Sequence, residues 1–385
     1  MQVGDLRLED FRNYEREQVE FAPGLNLIVG RNAQGKTNLL EAVHCLSGLG
    51  SPRGSDAALV RAGAERALLH AKMARGDRWI EVDMEFRPGR GTRALINKVP
   101  TPRTRNLGEL VVTVFFGPDE LSLVKGSPDG RRRFLDELVV KLRPAREQLR
   151  RDWERVLKQR NALLKTALRG RGRGGPQETL EVWDDAFIQT GATLAAARLD
   201  ALAALIPYAT KRYEEVAGRG SLGLDYVSSW VSEEVRRDSL ATGRADTAVL
   251  EECLRARLDQ LATAELERGL SLAGPQRDDV SVQIPADDGS GVWLDARTFA
   301  SQGDQRTAAL ALKLAEHDLL TDALGQHPIL LLDDVFSELD PHRKTWLAEA
   351  VREMGQTLLS SAEPPTGELR ADRVLQVARG RVSDG

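Results

Sequence analysis

The segment that most constrains this chain is the octapeptide GRNAQGKT at residues 30–37. A continuous apolar run, LNLIV, precedes it, and apolar residues at helical spacing follow it as far as Gly48. The pattern G-x-x-x-x-G-K-[ST] between a strand and a helix is typical of a P-loop, which cradles nucleotide phosphates. The alternative, an ordinary glycine turn that caps a helix, does not need this spacing or this context. The sequence therefore predicts binding of ATP with Mg²⁺.

Each residue type in the loop has a physical reason. Glycines let backbone N–H groups curl around phosphate oxygens at a helix N-terminus, the lysine offsets phosphate charge, and the threonine hydroxyl is a ligand for Mg²⁺. Lys36 is also a predicted catalytic residue, and Thr37 a predicted metal ligand. The predicted nucleotide-binding residues of this segment are Gly30, Arg31, Asn32, Ala33, Gln34, Gly35, Lys36, Thr37 and Asn38.

A second apolar run, ILLL at 329–332, ends in two aspartates. A P-loop needs a carboxylate at the end of a neighbouring strand to hold the metal, and Asp333 is suitably placed for this role. Asp334 is then available to orient or deprotonate the attacking water. The alternative is that two aspartates merely end a strand at a turn. The P-loop favours the metal and catalytic roles.

A third segment, SQGDQ at 301–305, precedes a strongly apolar helical run. Its serine hydroxyl and the free backbone N–H groups of the helix would make another anion site. Alone this signal is weak, because any serine N-cap has the same features. It gains weight from its position shortly before the strand that ends in Asp333.

The order of elements predicts the architecture. Alternating and continuous apolar strands fill the N-terminal part, and strand patterns return at 280–284, 329–332, 357–360 and 374–377. Between them lie two long helical stripes that RGRGRGG at 169–175 interrupts. These patterns predict an α/β head that both chain ends build, with an inserted helical arm. The predicted domains are 1–140 with 271–385 for the head and 141–270 for the arm.

Composition limits the partners. The chain has 385 residues and a formal net charge of -4, so a nucleic-acid surface must be a local basic patch. The run Arg131, Arg132 and Arg133 is the predicted DNA contact, with internal pairing or a solvated helix face as the alternative. The tip at 169–173 is the next candidate. Without a signal peptide or a clear membrane segment, we expect a cytoplasmic protein with no membrane partner.

The motifs together resemble the ABC class of ATPases, and within it the heads of structural maintenance of chromosomes (SMC) proteins. The first and last motifs then lie at opposite ends of the chain, with a helical insertion between them. The resemblance is closest to the RecF family of bacterial DNA repair proteins. It covers nearly the whole chain. The blocks that carry it are the P-loop with LLEA, PDEL at 118–121, VKGSP at 124–128, RRRFLD at 131–136, GPQRDD at 274–279 and LLDDVFSELD at 331–340.

The resemblance implies further site residues. ASQGD at 300–304 would be the ABC signature, so that Ser301, Gln302, Gly303 and Asp304 would cover ATP that a second copy of the chain holds, with Ser301 as a catalytic residue. SELD at 337–340 would be the D-loop, which brings Asp340 to the nucleotide. Arg12 matches a family position that contacts nucleotide, although a surface arginine is the alternative.

The resemblance also implies an activity and partners. We expect an ATP-dependent homodimer that binds DNA at gaps or junctions and cooperates with RecO and RecR in loading RecA. Asp334 replaces the glutamate that is usual in the ABC class, so slow hydrolysis is expected, and no histidine follows the strand at 357–361 as a γ-phosphate sensor. The alternatives are an ABC transporter ATPase subunit, a P-loop kinase, and a binding module that never hydrolyses its ATP.

Overall fold

The computed structural model describes residues 1–76, 78–101, 104–169, 177–218, 220–286, 291–363 and 369–385. The strands are β1 (Gln2–Phe11), β2 (Tyr14–Glu20), β3 (Leu25–Val29), β4 (Ala67–Arg75), β5 (Arg78–Arg87), β6 (Gly91–Ile96), β7 (Val99–Thr101), β8 (Thr113–Phe116), β9 (Gly223–Val227), β10 (Asp279–Pro285), β11 (Trp293–Asp295), β12 (Ile329–Asp333), β13 (Thr357–Ser361), β14 (Arg373–Ala378) and β15 (Arg381–Asp384). The helices are α1 (Lys36–Cys45), α2 (Ser122–Lys125), α3 (Pro128–Leu142), α4 (Glu147–Arg169), α5 (Gln177–Ala217), α6 (Glu233–Thr242), α7 (Thr247–Arg268), α8 (Ala296–Phe299), α9 (Gln302–Leu324) and α10 (Pro341–Ala350).

The chain forms two compact units. The first comprises Met1–Leu121, Arg212–Arg219 and Gln302–Gly385, and the second comprises Ser122–Lys211 and Gly220–Ser301. Both ends of the chain thus belong to the first unit. These bounds differ from the predicted head and arm, so the division at 140 and 270 stays a prediction.

A mostly parallel sheet of the first unit has the strand order β15-β14-β3-β13-β12-β8. Every residue of β3, β12 and β13 is buried. Continuous apolar runs of this kind are typical of parallel strands that are covered on both faces. The structure confirms the strands predicted at 25–29, 329–332, 357–360 and 374–377.

A second sheet of the first unit is antiparallel, with the order β2-β1-β4-β5-β6-β7. Helix α1 is buried on nearly all sides and packs against β8, β12 and β13. One hydrophobic core contains Leu6 and Phe86 of the antiparallel sheet, Leu39 of α1, and Ile28 and Leu331 of the parallel sheet. The helix that follows the P-loop is therefore fixed by packing from both sheets.

The second unit contains α2 to α4, α5 as far as Lys211, α6 to α8 and a small sheet with the order β9-β10-β11. One prediction needs correction here. Strand β10 is a strand as predicted, but it pairs with β9 and β11 and not with the head sheet. The polar segment 229–245 contains α6, which Ser232 caps by accepting the Val235 N–H and which Gly243 ends in a left-handed conformation.

Helix α5 is unusually apolar. Over Leu180–Ala217 it is long and apolar enough to cross a membrane by length and composition alone, contrary to the expectation that no such segment exists. Most of its apolar window is buried inside the protein, as in the core helix of a soluble protein. This burial removes the need for a membrane to cover the helix.

A buried arginine connects three helices of the second unit. Arg160 of α4 donates hydrogen bonds to Asp184 of α5 at 2.6 Å and to Glu265 of α7 at 2.6 Å. Its guanidinium also lies 4.7 Å from the centroid of the Phe187 ring. Side chains of Arg160 and Glu265 are only 3% and 1% exposed. Each charge therefore depends on the other to offset the loss of its hydration.

We expect Arg160→Ala to lower the free energy of unfolding by about 3–5 kcal/mol, because it leaves the buried Glu265 carboxylate without its partner. Urea unfolding followed by circular dichroism measures this. The matched control is Arg255→Ala, whose exposed pair with Asp185 contributes only about 0–1 kcal/mol. Equal losses in the two variants would contradict the role of the Arg160 network.

Candidate functional site

The sheet order brings the predicted site together. Strand β13 lies between β3 and β12, and all three run parallel, so their carboxyl ends share one edge. Gly30 follows β3, Asp333 ends β12, and Ser360 lies near the end of β13. Ligands of open parallel sheets bind at this edge.

The two glycines of the loop are required by close packing. A Cβ atom on Gly30 would lie 2.2 Å from the carbonyl oxygen of Val377. Gly35 has a φ of 121°, and a Cβ there would lie 2.7 Å from the Asn13 side chain. The hydroxyl of Tyr14 donates to the Gly35 carbonyl at 3.0 Å, which fixes the loop against the start of β2.

Lys36 points into the loop that precedes it. Its ammonium donates to the carbonyl oxygens of Gly30 at 2.5 Å and Arg31 at 3.2 Å. Burial lowers the pKa of Lys36 from its ordinary value, whereas the carboxylates of Asp334 and Asp333 oppose that shift. A bound phosphate group would compete with the two carbonyls for this ammonium. The ammonium therefore lies where the P-loop role requires it.

Thr37 and Asp333 form the predicted metal site. The Thr37 hydroxyl donates to Asp333 Oδ1 at 2.9 Å, and the Ser360 hydroxyl donates to the same oxygen at 2.7 Å. Burial raises the pKa of the Asp333 carboxyl, and these two hydrogen bonds oppose the increase. Neighbouring ligands of octahedral Mg²⁺, each at about 2.0–2.1 Å, lie about 2.9 Å apart. The separation of the two oxygens therefore fits Mg²⁺, which usually takes one or two protein ligands and completes its shell with phosphates and water.

Asp334 has a strained backbone, with a φ of 53° in the left-handed region. Its N–H donates to the Ser360 hydroxyl at 3.0 Å and lies 3.2 Å from the Ser360 carbonyl oxygen. Its Oδ1 atom is buried and accepts no hydrogen bond from any residue that the structure describes. A buried carboxylate oxygen without a donor is suited to accept one from a water molecule.

Arg53 is a residue that the sequence analysis missed. It lines a cavity of about 350 Å³ together with the P-loop, Pro118, Asp333 and Asp334. Its guanidinium donates to Asn38 Oδ1 at 2.7 Å and to Glu41 Oε2 at 2.5 Å. The sequence around it, SPRGS, has no distinctive spacing, so only the packing of the loop after α1 identifies this arginine.

Glu41 of α1 is a fully buried carboxylate that holds two arginines. Arg12 donates to both of its oxygens, at 2.8 and 2.7 Å, and Arg53 and the hydroxyl of Ser51 donate as well. Burial raises the pKa of the Glu41 carboxyl, but the hydrogen bonds from these three residues outweigh burial and leave the pKa lowered. Arg12 is therefore partnered through Glu41 in this conformation, and its contact with nucleotide stays a prediction.

The signature and D-loop segments are both connected to Arg343. Ser301 is exposed and directly precedes Gln302, the first residue of α9. Arg343 of α10 lies 3.0 Å from Asp340 and 3.8 Å from Asp304 in the first turn of α9. Asp340 caps α10 by accepting the Arg343 N–H, and this hydrogen bond lowers the pKa of its carboxyl. Nucleotide contacts by Gln302, Asp304 and Asp340 stay predictions.

The three arginines at 131–133 differ in burial and pairing, and DNA contact by this run stays a prediction. Arg131 is 7% exposed and forms two hydrogen bonds, both 2.8 Å long, with the carboxylate of Asp279. Arg132 donates to the carbonyl oxygen of Asp278 at 2.5 Å. Arg133 is exposed. The structure disfavours DNA contact by Arg131, because its buried charge is paired with Asp279 inside the second unit. Arg133 remains the candidate of this run. The side chains of the alternative tip, 169–173, lie outside the described residues.

The blocks RRRFLD and GPQRDD have a structural role in common. Besides the Arg131–Asp279 pair, Arg198 of α5 donates to Asp136 at 2.7 Å and to the carbonyl oxygen of Pro275 at 2.7 Å. Asp278 accepts the hydroxyl of Tyr226 at 2.7 Å, and burial raises its pKa to about 6. The two blocks therefore stabilise the second unit around buried charges.

Comparison with known proteins decides the family. Residues 2–382 match the RecF/RecN/SMC N terminal domain family. The chain is 46% identical over 367 residues to the DNA replication and repair protein RecF of Streptomyces avermitilis, which covers 94% of each chain. It is 44% identical over 388 residues to the protein of that name from Frankia alni, which covers 99% of each chain. The chain belongs to the RecF family. The resemblance drawn from the motifs is confirmed.

Solved structures agree with this assignment to the RecF family. A structure of the recombination mediator protein RecF with ATP in the RecFOR pathway has a TM-score of 0.87 and 29% identity, and covers 99% of this chain and 97% of that chain. An SMC head bound to the C-winged helix domain of ScpA has a TM-score of 0.54 at 15% identity, with coverage of 100% and 98%, and shows the fold alone. The predicted α/β, ABC-type head fold is confirmed.

We expect Glu41→Gln to weaken ATP binding several-fold, since Arg12 and Arg53 lose the anion that orients them beside the P-loop. Stability should fall by about 1.5–3 kcal/mol, the range of a hydrogen bond to a charged group. Calorimetric titration with ATP tests the first effect. The control is Glu65→Gln, an exposed glutamate outside the cavity. A Glu41→Gln protein that is less stable but binds ATP as well as the parent would reduce Glu41 to a purely structural residue.

Proposed function

We propose that the chain is a slow, ATP-dependent DNA-binding ATPase of recombinational repair. ATP binding promotes a homodimer on gapped DNA or at junctions of single and double strands, and hydrolysis releases it. The dimer cooperates with RecO and RecR in loading RecA. This proposal goes beyond the established family, which by itself supports a role in DNA replication and repair and an ATPase of the ABC type.

The observation that carries the proposal is the hydrogen bond between Thr37 and Asp333. It joins the P-loop helix to the carboxylate strand at the separation that suits Mg²⁺, in a chain that matches RecF proteins over nearly its full length. Lys36, Thr37 and Asp333 would hold the phosphates and the metal. Mg²⁺ supplies charge neutralisation of the phosphate oxygens when bound.

The dimer is supported by where the signature serine lies. In the part of the chain that the structure describes, only residues of the first unit line the P-loop cavity. Ser301 is exposed at the end of the second unit. An exposed serine at the start of α9 suits a phosphate that a second copy presents.

Slow hydrolysis is supported by Asp334. Its carboxylate has one methylene fewer than the usual glutamate, and its strained backbone is held by two contacts with Ser360. The buried Oδ1 atom would accept a hydrogen bond from the attacking water and later its proton. Because the side chain is shorter and its backbone is fixed, the carboxylate can accept a proton from fewer positions of the attacking water. Hydrolysis is therefore expected to be slow.

Membership of the RecF family supports the proposed partners and location. A similar RecF structure is assigned to the RecFOR pathway, which supports RecO and RecR as partners, and a repair role supports a cytoplasmic location. A transporter ATPase subunit and a P-loop kinase lose support, because the match to RecF proteins covers both units of this chain.

Ser301→Arg should abolish ATP-dependent dimerisation and leave ATP affinity of the monomer nearly unchanged, since a bulky cation would stand where the second copy's phosphates must fit. Sedimentation velocity with and without ATP and DNA measures the dimer, and calorimetry measures affinity. Ser383→Arg, at an exposed serine of β15, controls for added charge. Lys36→Met should lose both ATP binding and the dimer. Normal dimerisation of Ser301→Arg would refute the assigned role of this serine.

Asp334→Asn and Asp333→Asn should fail differently. Removing the base at Asp334 preserves shape and should trap an ATP-bound dimer that does not turn over. Removing charge at Asp333 should instead weaken Mg²⁺-dependent nucleotide binding. Nucleotide titration with and without Mg²⁺, combined with phosphate release, separates the two defects. Identical behaviour of the two variants would show that the roles are wrongly divided.

A further inference from the structure

A basic cavity of about 510 Å³ lies within the second unit. Three arginines from two segments of the chain line it: Arg143 and Arg146 in the connection between α3 and α4, and Arg244 between α6 and α7. One carboxylate, Asp200 of α5, is among the described residues that line it. Three guanidinium groups against one carboxylate give an excess of two positive charges, in a chain whose net charge is -4.

Asp200 forms an ion pair with one of the three arginines, Arg146. Its Oδ1 atom accepts the Ala245 N–H at 2.9 Å, and its Oδ2 atom lies 3.6 Å from Arg146. Arg143 and Arg244 are both exposed. Neither side chain forms an ion pair with a residue of the described ranges 104–169, 177–218 and 220–286. In the RRRFLD block, by contrast, Arg131 forms an ion pair with Asp279. The cavity therefore holds cationic groups that internal pairing does not explain.

The lining indicates which part of an anionic ligand is recognised. Guanidinium forks match the oxygens of phosphate groups. Among the described residues that line the cavity, no aromatic side chain is present on which a base could stack, and the apolar part consists of Leu149 and small residues such as Ala196. These features suit recognition of a sugar-phosphate backbone without reading of bases.

We propose that this cavity binds phosphodiester groups of the DNA backbone through Arg143, Arg146 and Arg244. The proposal rests on the proposed function, because it takes DNA as the polyanion that this chain binds. It places a sequence-independent contact on the helical unit. Free phosphate and nucleotides offer the same phosphate oxygens. Only a polyanion such as DNA releases condensed counterions when arginines neutralise its phosphates, and this release favours binding.

The test is the salt dependence of DNA binding by the full chain with ATP, on a gapped duplex. The Arg143→Ala/Arg244→Ala double variant should bind more weakly, and the slope of log affinity against log salt should fall by about two, or about 0.9 for each lost phosphate contact on duplex DNA. The control with the same charge change is Arg155→Ala/Arg237→Ala, two arginines of the same unit with side chains 71% and 75% exposed. Its slope should stay near that of the parent.

Further measurements separate the possible failures. Unchanged ATP affinity and unfolding midpoint show that the double variant is folded, and Arg143→Lys/Arg244→Lys should restore most of the slope. If the parent binds DNA and the double variant has the same slope, the cavity is not a DNA site, and the proposed function still stands. A parent that does not bind DNA with ATP would overturn both. Stronger competition by polyglutamate than by duplex DNA at the cavity, lost in the double variant, would assign it to an acidic protein partner and overturn the DNA site.

Discussion

The hydrogen bond between Thr37 and Asp333 joins residues that are 296 positions apart. It can form only because β3 and β12 lie in one sheet with β13 between them, and because α1 is fixed between two sheets. Ser360 of the intervening strand contacts both aspartates of the site. The predicted metal site thus depends on sheet order, because a different order of the same strands would separate Thr37 from Asp333.

Buried arginine and carboxylate pairs position the remaining parts. Glu41 on the P-loop helix orients Arg12 and Arg53, Arg160 joins three helices, and Arg198 joins two blocks of sequence that are distant in the chain. Buried pairs contribute little net stability, but removing one partner is costly. These pairs connect helices and loops at defined positions, and a nucleotide site requires side chains that are held in a defined geometry.

The distribution of positive charge separates structural from functional arginines. Within 131–133, burial and carboxylate partners account for Arg131, whereas the cavity lined by Arg143 and Arg244 has few internal acceptors. A run of like charges in a sequence does not distinguish these cases, since successive helical side chains point about 100° apart and have different neighbours. Exposure and pairing decide which of the arginines remain available to a ligand.

The sequence by itself determined the P-loop, the carboxylate strand, the buried strands of the head and the RecF family, because spacing and hydrophobic period are local properties of the chain. It did not determine that β10 joins a separate sheet, that 229–245 contains α6, or that Arg53 reaches the P-loop cavity. Those features depend on which segments meet in space. Arg131 pairs with Asp279, which lies 148 positions further along the chain. Only tertiary packing therefore decided that this arginine is paired inside the fold.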